Sequence, residues 1–348
     1  MSNGIRRNRF RFELLRQGVR LCDLKARQDG EITCTASAEI KRALSCTVQL
    51  PDEADLLNDR IRVSLEQDGV WFPLGVFIPT TAPRTVSAEG LVTVGIEAYD
   101  LTYQVYRAKL ERRSDGYFPA GTAYTTAVKT ILTRCGISDV SIPDSGQALA
   151  AAREDWEIGE SYLTVVNTLL EEIGYTTLWF DSAGVARSGP YQSPVLRPVQ
   201  HWYAAGPGSV VLRAHSVEDD TFDAYNVFPV SVSDLDSGEP IYVVSVNDDP
   251  SSKLSTVARG RLVAPVTRLD GAADEAAAQA YADSLRLKSM ISTETAKIQT
   301  AICPGHEVLD ILELDLPELT GKWEETAWSI PLSPDGLMSH TVRRAVYV

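Results

Sequence analysis

The feature that most constrains this chain is a period-two alternation of apolar and polar residues that begins at Arg9 and returns in short runs. In RFRFELL (9–15), Phe10, Phe12 and Leu14 share one face while Arg9, Arg11 and Glu13 share the other, as a half-buried strand requires. LVTVGIEAY (91–99) repeats the pattern with Val92, Val94, Ile96 and Ala98. Between them lie ALSCTVQL (43–50), IRVSL (61–65) and VWFPLGVFI (70–78), punctuated by the turn-rich PDEAD, EQDG and TTAPR. Many short strands with tight connections predict a sandwich or barrel. At 348 residues the chain has ample core for two or three domains, which excludes a small stapled scaffold.

The pattern changes near residue 110. TAYTTAVKTILTRCG (122–136) places Ala127, Ile131 and Leu132 at helical spacing, with Thr122 as N-cap and Gly136 as stop. A second helix is expected over 161–173, striped by Leu163, Val166, Leu170 and Ile173 and closed by Gly174 in the left-handed conformation. YTTLWFDSAGVARSG then reads as a hairpin turning over Asp181–Gly184. After the connector 189–198, strands are expected at 209–214, 226–232, 241–246, 294–302, 308–314, 326–332 and 340–348. One Ala-rich helix, 274–290, interrupts them, with Ala277, Tyr281, Leu285 and Lys288 along one side, and is expected to lie across a barrel mouth or to pack on a sheet. The expected layout is a β domain over 1–109, a small α+β domain over 110–192, and a β domain over 193–348 carrying that helix.

The 33 basic and 47 acidic residues give a net charge of −14, which disfavours a protein that coats duplex DNA. Residues 1–30 reverse the sign, with Arg6, Arg7, Arg9, Arg11, Arg16, Arg20, Lys25 and Arg27 against Glu13, Asp23 and Asp29, a local +5. Such a strip suits an acidic partner surface or is a solvated strand face. No apolar run approaches the roughly 20 residues of a bilayer span, and no export signal is recognisable.

Little in the sequence points to chemistry. Phosphate-binding, dinucleotide-binding and GxSxG patterns are absent. The five cysteines, Cys22, Cys34, Cys46, Cys135 and Cys303, contain no CxxC and read as buried free thiols, and the 12-residue spacing of the first three has no histidine beside it. His201, His215, His306 and His340 are few for proton transfer or metal binding. His306-Glu307-Val308-Leu309-Asp310 lacks the second imidazole of HExxH and continues as an expected strand. The pair Glu157 and Glu160, and Asp219, Asp220 and Asp223, have no certified separation for glycoside hydrolysis. Asp234, Asp236 and Gly238 suggest a calcium loop, but Ser245 stands at the twelfth position where a bidentate Glu is needed. Phe10 and Phe12 beside Arg6–Arg11 read as core-facing rather than as a nucleic-acid platform, and Trp71, Phe72, Trp179 and Phe180 as core anchors.

Several segments carry a resemblance. AEIKRALSCTVQL (38–50), LLNDRIRVSL (56–65), FPLGVFIPTTAPR (72–84), VGIEAYDLTY (94–103), YFPAGTAYTTAV (117–128), WEIGESYLTVVNTLLEEIGYTTLWFDSAGVARSGPY (156–191), NDDPSSKLSTVARGRLVA (247–264) and ETAWSIPLSPDGLMSHTVRRAV (325–346) resemble, in this order, the tail hub proteins of tailed phages and prophages. These are related to the baseplate hub and to the N-terminal part of tail-associated lysins. The resemblance implies a mainly β fold in which two tube-type β-barrel domains flank a small α+β domain. It also implies a homotrimer at the virion tail tip, adapting a sixfold tube to threefold symmetry. The implied partners are a distal tail protein ring, a tape-measure protein, and tail fibre or spike proteins. Cofactors, metals, sequence-specific nucleic-acid contacts and membrane insertion are not implied. Family members that degrade the wall or bind receptors continue past the hub, whereas this sequence ends at Val348, so such activity is expected on another polypeptide.

The leading expectation is therefore a structural virion protein, not an enzyme, whose acidic surface, including 217–223, repels the DNA passing through its lumen. Two alternatives are a tail-tip cell-wall hydrolase using carboxylates and a host-surface carbohydrate-binding module. For the second, Trp202 and Tyr203 beside His201 are the first aromatic platform to test.

Overall fold

Alternation in the first hundred residues becomes eight strands in the computed structural model: β1 (Arg9–Arg16), β2 (Val19–Ala26), β3 (Glu31–Thr35), β4 (Arg42–Gln49), β5 (Asp59–Gln67), β6 (Val70–Thr81), β7 (Arg84–Val86) and β8 (Val92–Asp100). The structure describes residues 8–88, 92–153, 156–212, 216–220, 225–232, 240–265, 267–269, 275–289 and 291–347. Antiparallel pairings β1–β2, β2–β4, β4–β8, β8–β6, β6–β5 and β5–β1 close a ring, so six of these strands make a barrel. Its interior is filled by Leu14, Leu44, Ile61, Val63, Phe77 and Ile96, all at most 1% exposed.

Position 75 is restricted to glycine. Gly75 has φ +154° beside the irregularity between Val63 and Ser64, and a Cβ there would lie 2.5 Å from the Phe77 ring.

The outer face of β1 departs from simple alternation. Glu13 is buried beside Phe12 and Leu14, because Arg62, its register partner on β5, bonds its carboxylate at 2.7 Å and Arg20 approaches it at 3.1 Å. The guanidinium groups of Arg9 and Arg11 lie over the Trp71 ring at 5.3 and 4.2 Å, and Arg9 also pairs with Glu66. Trp71 is therefore a half-buried outer-face residue rather than a core anchor. The described arginines of the basic strip include several matched by acids on neighbouring strands.

The middle segment contains α1 (Thr102–Arg107), a 3-10 turn (Arg113–Gly116), α2 (Tyr124–Arg134), β9 (Val140–Ser141), α3 (Tyr162–Glu172), β10 (Trp179–Phe180) and β11 (Ala186–Arg187). Ser161 caps α3 by accepting from the N–H groups of Leu163 and Thr164, and Gly174 follows at φ +70°. At α2 the N-cap is Ala123, not Thr122, whose hydroxyl instead donates to the Pro119 carbonyl. Val128, Ile131, Leu163, Val166, Leu170 and Phe180 join one buried cluster.

The remaining elements are β12 (His201–Ala204), β13 (Ser216–Asp220), β14 (Val227–Val232), β15 (Ile241–Val246), α4 (Thr256–Arg259), β16 (Thr267–Leu269), α5 (Glu275–Ser289), β17 (Ile291–Ala301), β18 (Ile311–Leu316), β19 (Leu319–Pro331) and β20 (Leu337–Tyr347). With 44% strand and 15% helix, the fold is mainly β with α+β character. The chain divides into two compact units, Met1–Ala214 with Ile298–Thr341, and His215–Lys297 with Val342–Val348. In the first unit the sheet continues from β4 through β3 to β19, then to β18 and, in parallel, to β12. The expected strand 209–214 is reduced to a bridge between Val211 and Thr300, with 213 and 214 outside the described residues.

In the second unit β14 pairs with β15 and β16, and α5 packs on this sheet through Ala278, Ala282 and Leu285. Of the expected stripe Leu285 packs there, whereas Tyr281 is 38% exposed, and the small Ala278 and Ala282 make the close approach to the sheet. The side chains of Ala277 and Lys288, the loop bearing Asp234, Asp236 and Gly238, the side chains of 218–220 and residues 221–223 lie outside the described residues. No described helix is long and apolar enough to cross a membrane.

Candidate functional site

Residues that sequence patterns left scattered meet in the first unit. β12 alternates strictly, so His201 and Tyr203 point to one side and Trp202 to the other. Tyr203 is 4% exposed and Trp202 69% exposed, so the two cannot form one carbohydrate platform. Cys303 and His306 bracket the turn Pro304-Gly305, where Gly305 has φ +93°. Glu325 comes from β19 and His340 from β20. Thus three of the four histidines gather with one of the five cysteines, and His215 lies outside the described residues.

The center of this cluster is Glu325, whose side chain is completely buried. Its two oxygens accept from His306 Nδ1 at 2.6 Å and His340 Nδ1 at 2.5 Å. The opposite nitrogens are also engaged, His306 Nε2 with the Tyr203 hydroxyl at 2.8 Å and His340 Nε2 with Thr300 Oγ1 at 2.9 Å. His201 stacks on His306 with ring centroids 3.6 Å apart and planes 7° apart, and its Nε2 meets Asp310 Oδ2 at 3.1 Å. Asp310 is held in turn by the backbone N–H of Glu307 at 2.9 Å.

These contacts set the charges. Burial opposes protonation of His306, but the Glu325 carboxylate and Cys303 outweigh it and raise the imidazole to about 9. Hydrogen bonding from His201, then from His306, lowers the Cys303 thiol to about 6 against the penalty of burial. Burial pushes the Glu325 carboxyl up, yet the His306 charge and both imidazole hydrogen bonds hold it below its usual range. His340, whose burial dominates, is lowered. Cys303 is therefore the one described cysteine whose thiol is lowered, and it lies beside an imidazole whose charged form the buried Glu325 carboxylate favours. By contrast, burial pushes Cys34 and Cys46 up to about 12 and Cys135 to about 11, which leaves those thiols inert.

Other sequence candidates are placed differently. The His306–Asp310 stretch is a turn-containing connection, with Leu309 at φ +61°, and β18 begins only at Ile311. Glu307 turns from the cluster to bond Arg42 Nη2 at 2.6 Å and the Ser182 N–H at 2.8 Å. Glu157 is exposed, and its backbone N–H reaches the Glu160 carboxylate at 3.4 Å, a local turn contact rather than a paired catalytic set. The described residues gather no metal-ligating group around Cys22, Cys34 and Cys46. An open groove of about 390 Å³ carries Lys41, Arg187 and Arg197, and each is already paired, with backbone carbonyls, Asp181 and Glu324 respectively. The missed signal was the Cys303-x-x-His306 spacing across a Pro-Gly turn, combined with the parity of His201 and Tyr203.

No protein-family model and no curated protein matches this sequence. Three solved structures resemble it in fold. The tail protein from Neisseria meningitidis MC58 is 13% identical, with TM-score 0.64, 97% of this chain and 96% of that chain covered. The 43 kDa tail protein of prophage MuSo2 from Shewanella oneidensis is 12% identical, with TM-score 0.64, 97% and 98% covered. The prophage tail protein gp18 from Listeria monocytogenes EGD-e is 12% identical, with TM-score 0.56, 96% and 94% covered. This chain has the mainly β fold of these tail proteins.

Proposed function

We propose that this chain is a structural virion protein of a phage tail, a homotrimeric hub at the tail tip that adapts sixfold tube symmetry to a threefold tip. The observation that carries this reading is the fold, matched over 97% of the chain by two tail proteins at TM-score 0.64. A fold alone does not fix function, and the sequence resemblance to tail hubs points the same way from the residues. On this reading the chain contacts a distal tail protein ring above, a fibre or spike below and the tape-measure protein within. Its work is done by interface surfaces rather than by a catalytic cleft. The net charge of −14 suits a conduit that lets DNA slide without holding it.

The mass of the purified protein in solution, measured together with its action on host cell wall, tests the proposal. A particle of three times 38.1 kDa without lytic activity is expected. A monomer that clears cell wall overturns the hub reading in favour of a wall hydrolase.

A further inference from the structure

We propose that His201, Cys303 and His306 form a transition-metal site suited to Zn²⁺. One donor atom from each lies within 4.8 Å of the others. A tetrahedral zinc with bonds of about 2.0–2.3 Å keeps its donors about 3.3–3.8 Å apart, so closure by around an ångström completes the set. Two imidazoles and one thiolate are the donor chemistry of zinc, whereas calcium and magnesium take oxygens.

The groups behind the donors carry the argument further. Metal-bound imidazoles almost always have their other nitrogen held by a carboxylate or similar acceptor, which fixes the ring and strengthens the ligand. Here both imidazoles are so held, His201 Nε2 by Asp310 at 3.1 Å and His306 Nδ1 by Glu325 at 2.6 Å. That assigns His201 Nδ1 and His306 Nε2 to the ion, with Cys303 Sγ as the third ligand. The supports are themselves anchored, Glu325 by His340 and Asp310 by the Glu307 N–H. The Tyr203 hydroxyl lies 2.8 Å from His306 Nε2, so this hydroxyl or a water would complete four-coordination.

His306, Glu325 and His340 form a second close group. Its donors are spent on one another, since both Glu325 oxygens already accept from the two Nδ1 atoms at 2.6 and 2.5 Å. His201 and Cys303 are only partly buried, which provides an entry path that the second group lacks. The rings of His201 and His306 are stacked, with centroids 3.6 Å apart and planes 7° apart, so ligation tilts one ring relative to the other. The ion would tie β12 to the 303–306 turn, about a hundred residues later in the chain, and so brace the fold against opening.

The test uses the full-length protein with Zn²⁺ or Co²⁺ as the only added metal. After incubation and desalting, elemental analysis is expected to give about one zinc per chain, and cobalt loading a thiolate-to-metal charge-transfer band. C303A and H201A should lower zinc occupancy at least tenfold, C303A should abolish the band and H201A weaken it in step with occupancy, while C22S keeps both. The wild-type cobalt spectrum needs no variant to fold, so it decides the question alone: a loaded protein without the band, or a protein that takes up no metal, overturns the site. Equal zinc retention by folded C303A and H201A also overturns it.

Discussion

Arg42 illustrates how single residues carry long-range structure in this chain. Its side chain is 1% exposed, and it survives burial through the Glu307 carboxylate at 2.6 Å, the Leu74 carbonyl at 2.9 Å and the Trp328 ring face at 5.1 Å. Replacing Glu307 by Gln removes the counter-ion and weakens the clasp on the Ser182 N–H, at a cost of roughly 1.5–3 kcal/mol, measurable as a lower urea midpoint. Asp59 gives a pH prediction. The Arg16 hydrogen bond, aided by the Asp55 N–H, holds its carboxyl below the usual 3.8. A depressed folded value means that the stabilisation is present above pH 3.8 and is lost as pH falls through the lower folded value. Acid titrations should therefore show wild type more stable than D59N near neutrality, with the gap closing below pH 3.8; a gap constant with pH would contradict this origin. Residue-level chemistry was the least legible part of the sequence. His201, the Cys303–His306 turn, Glu325 and His340 come from four separate segments, and the fold rather than local spacing brings the four together.

At the scale of elements, local rules explain most boundaries. Ser161 capping α3 predicts that S161A lowers stability by roughly 0.5–2 kcal/mol, read as a drop in thermal midpoint. Gly75 in β6 predicts a cost of about 1–3 kcal/mol for G75A, since the new Cβ meets the Phe77 ring and the φ of +154° disfavours it; an unchanged midpoint would contradict the packing account. Strands such as β5 and β15 were legible because one face is buried and period two survives in the sequence. The 209–214 segment also carries an apolar run, but among its described residues the pairing amounts to one bridge, Val211 with Thr300, flanked by backbone hydrogen bonds of Val210 and Leu212, since strand identity there depends on a partner rather than on pattern. The face of α5 is ambiguous in the sequence for a similar reason: alanine is compatible with either side, and the sheet of β14 and β15 selects Ala278 and Ala282. Alternation places Glu13 on the polar face of β1 and says nothing about the arginines that a neighbouring strand places over it.

For the whole molecule, the mainly β plan was legible because a barrel needs many short alternating strands, and the ring β1–β2–β4–β8–β6–β5 supplies it. Assembly was not legible in composition, since interface surfaces resemble ordinary surface; it entered only through the resemblance of segments. On the reading proposed above, this fold is a building block of a phage tail. A cryo-electron-microscopy map of the tail of particles encoding this protein tests it most directly. The expected result is threefold density at the tail tip into which both compact units fit, three copies per tail. A tip map fully assigned to other chains, with this protein absent from the purified particles, would contradict it.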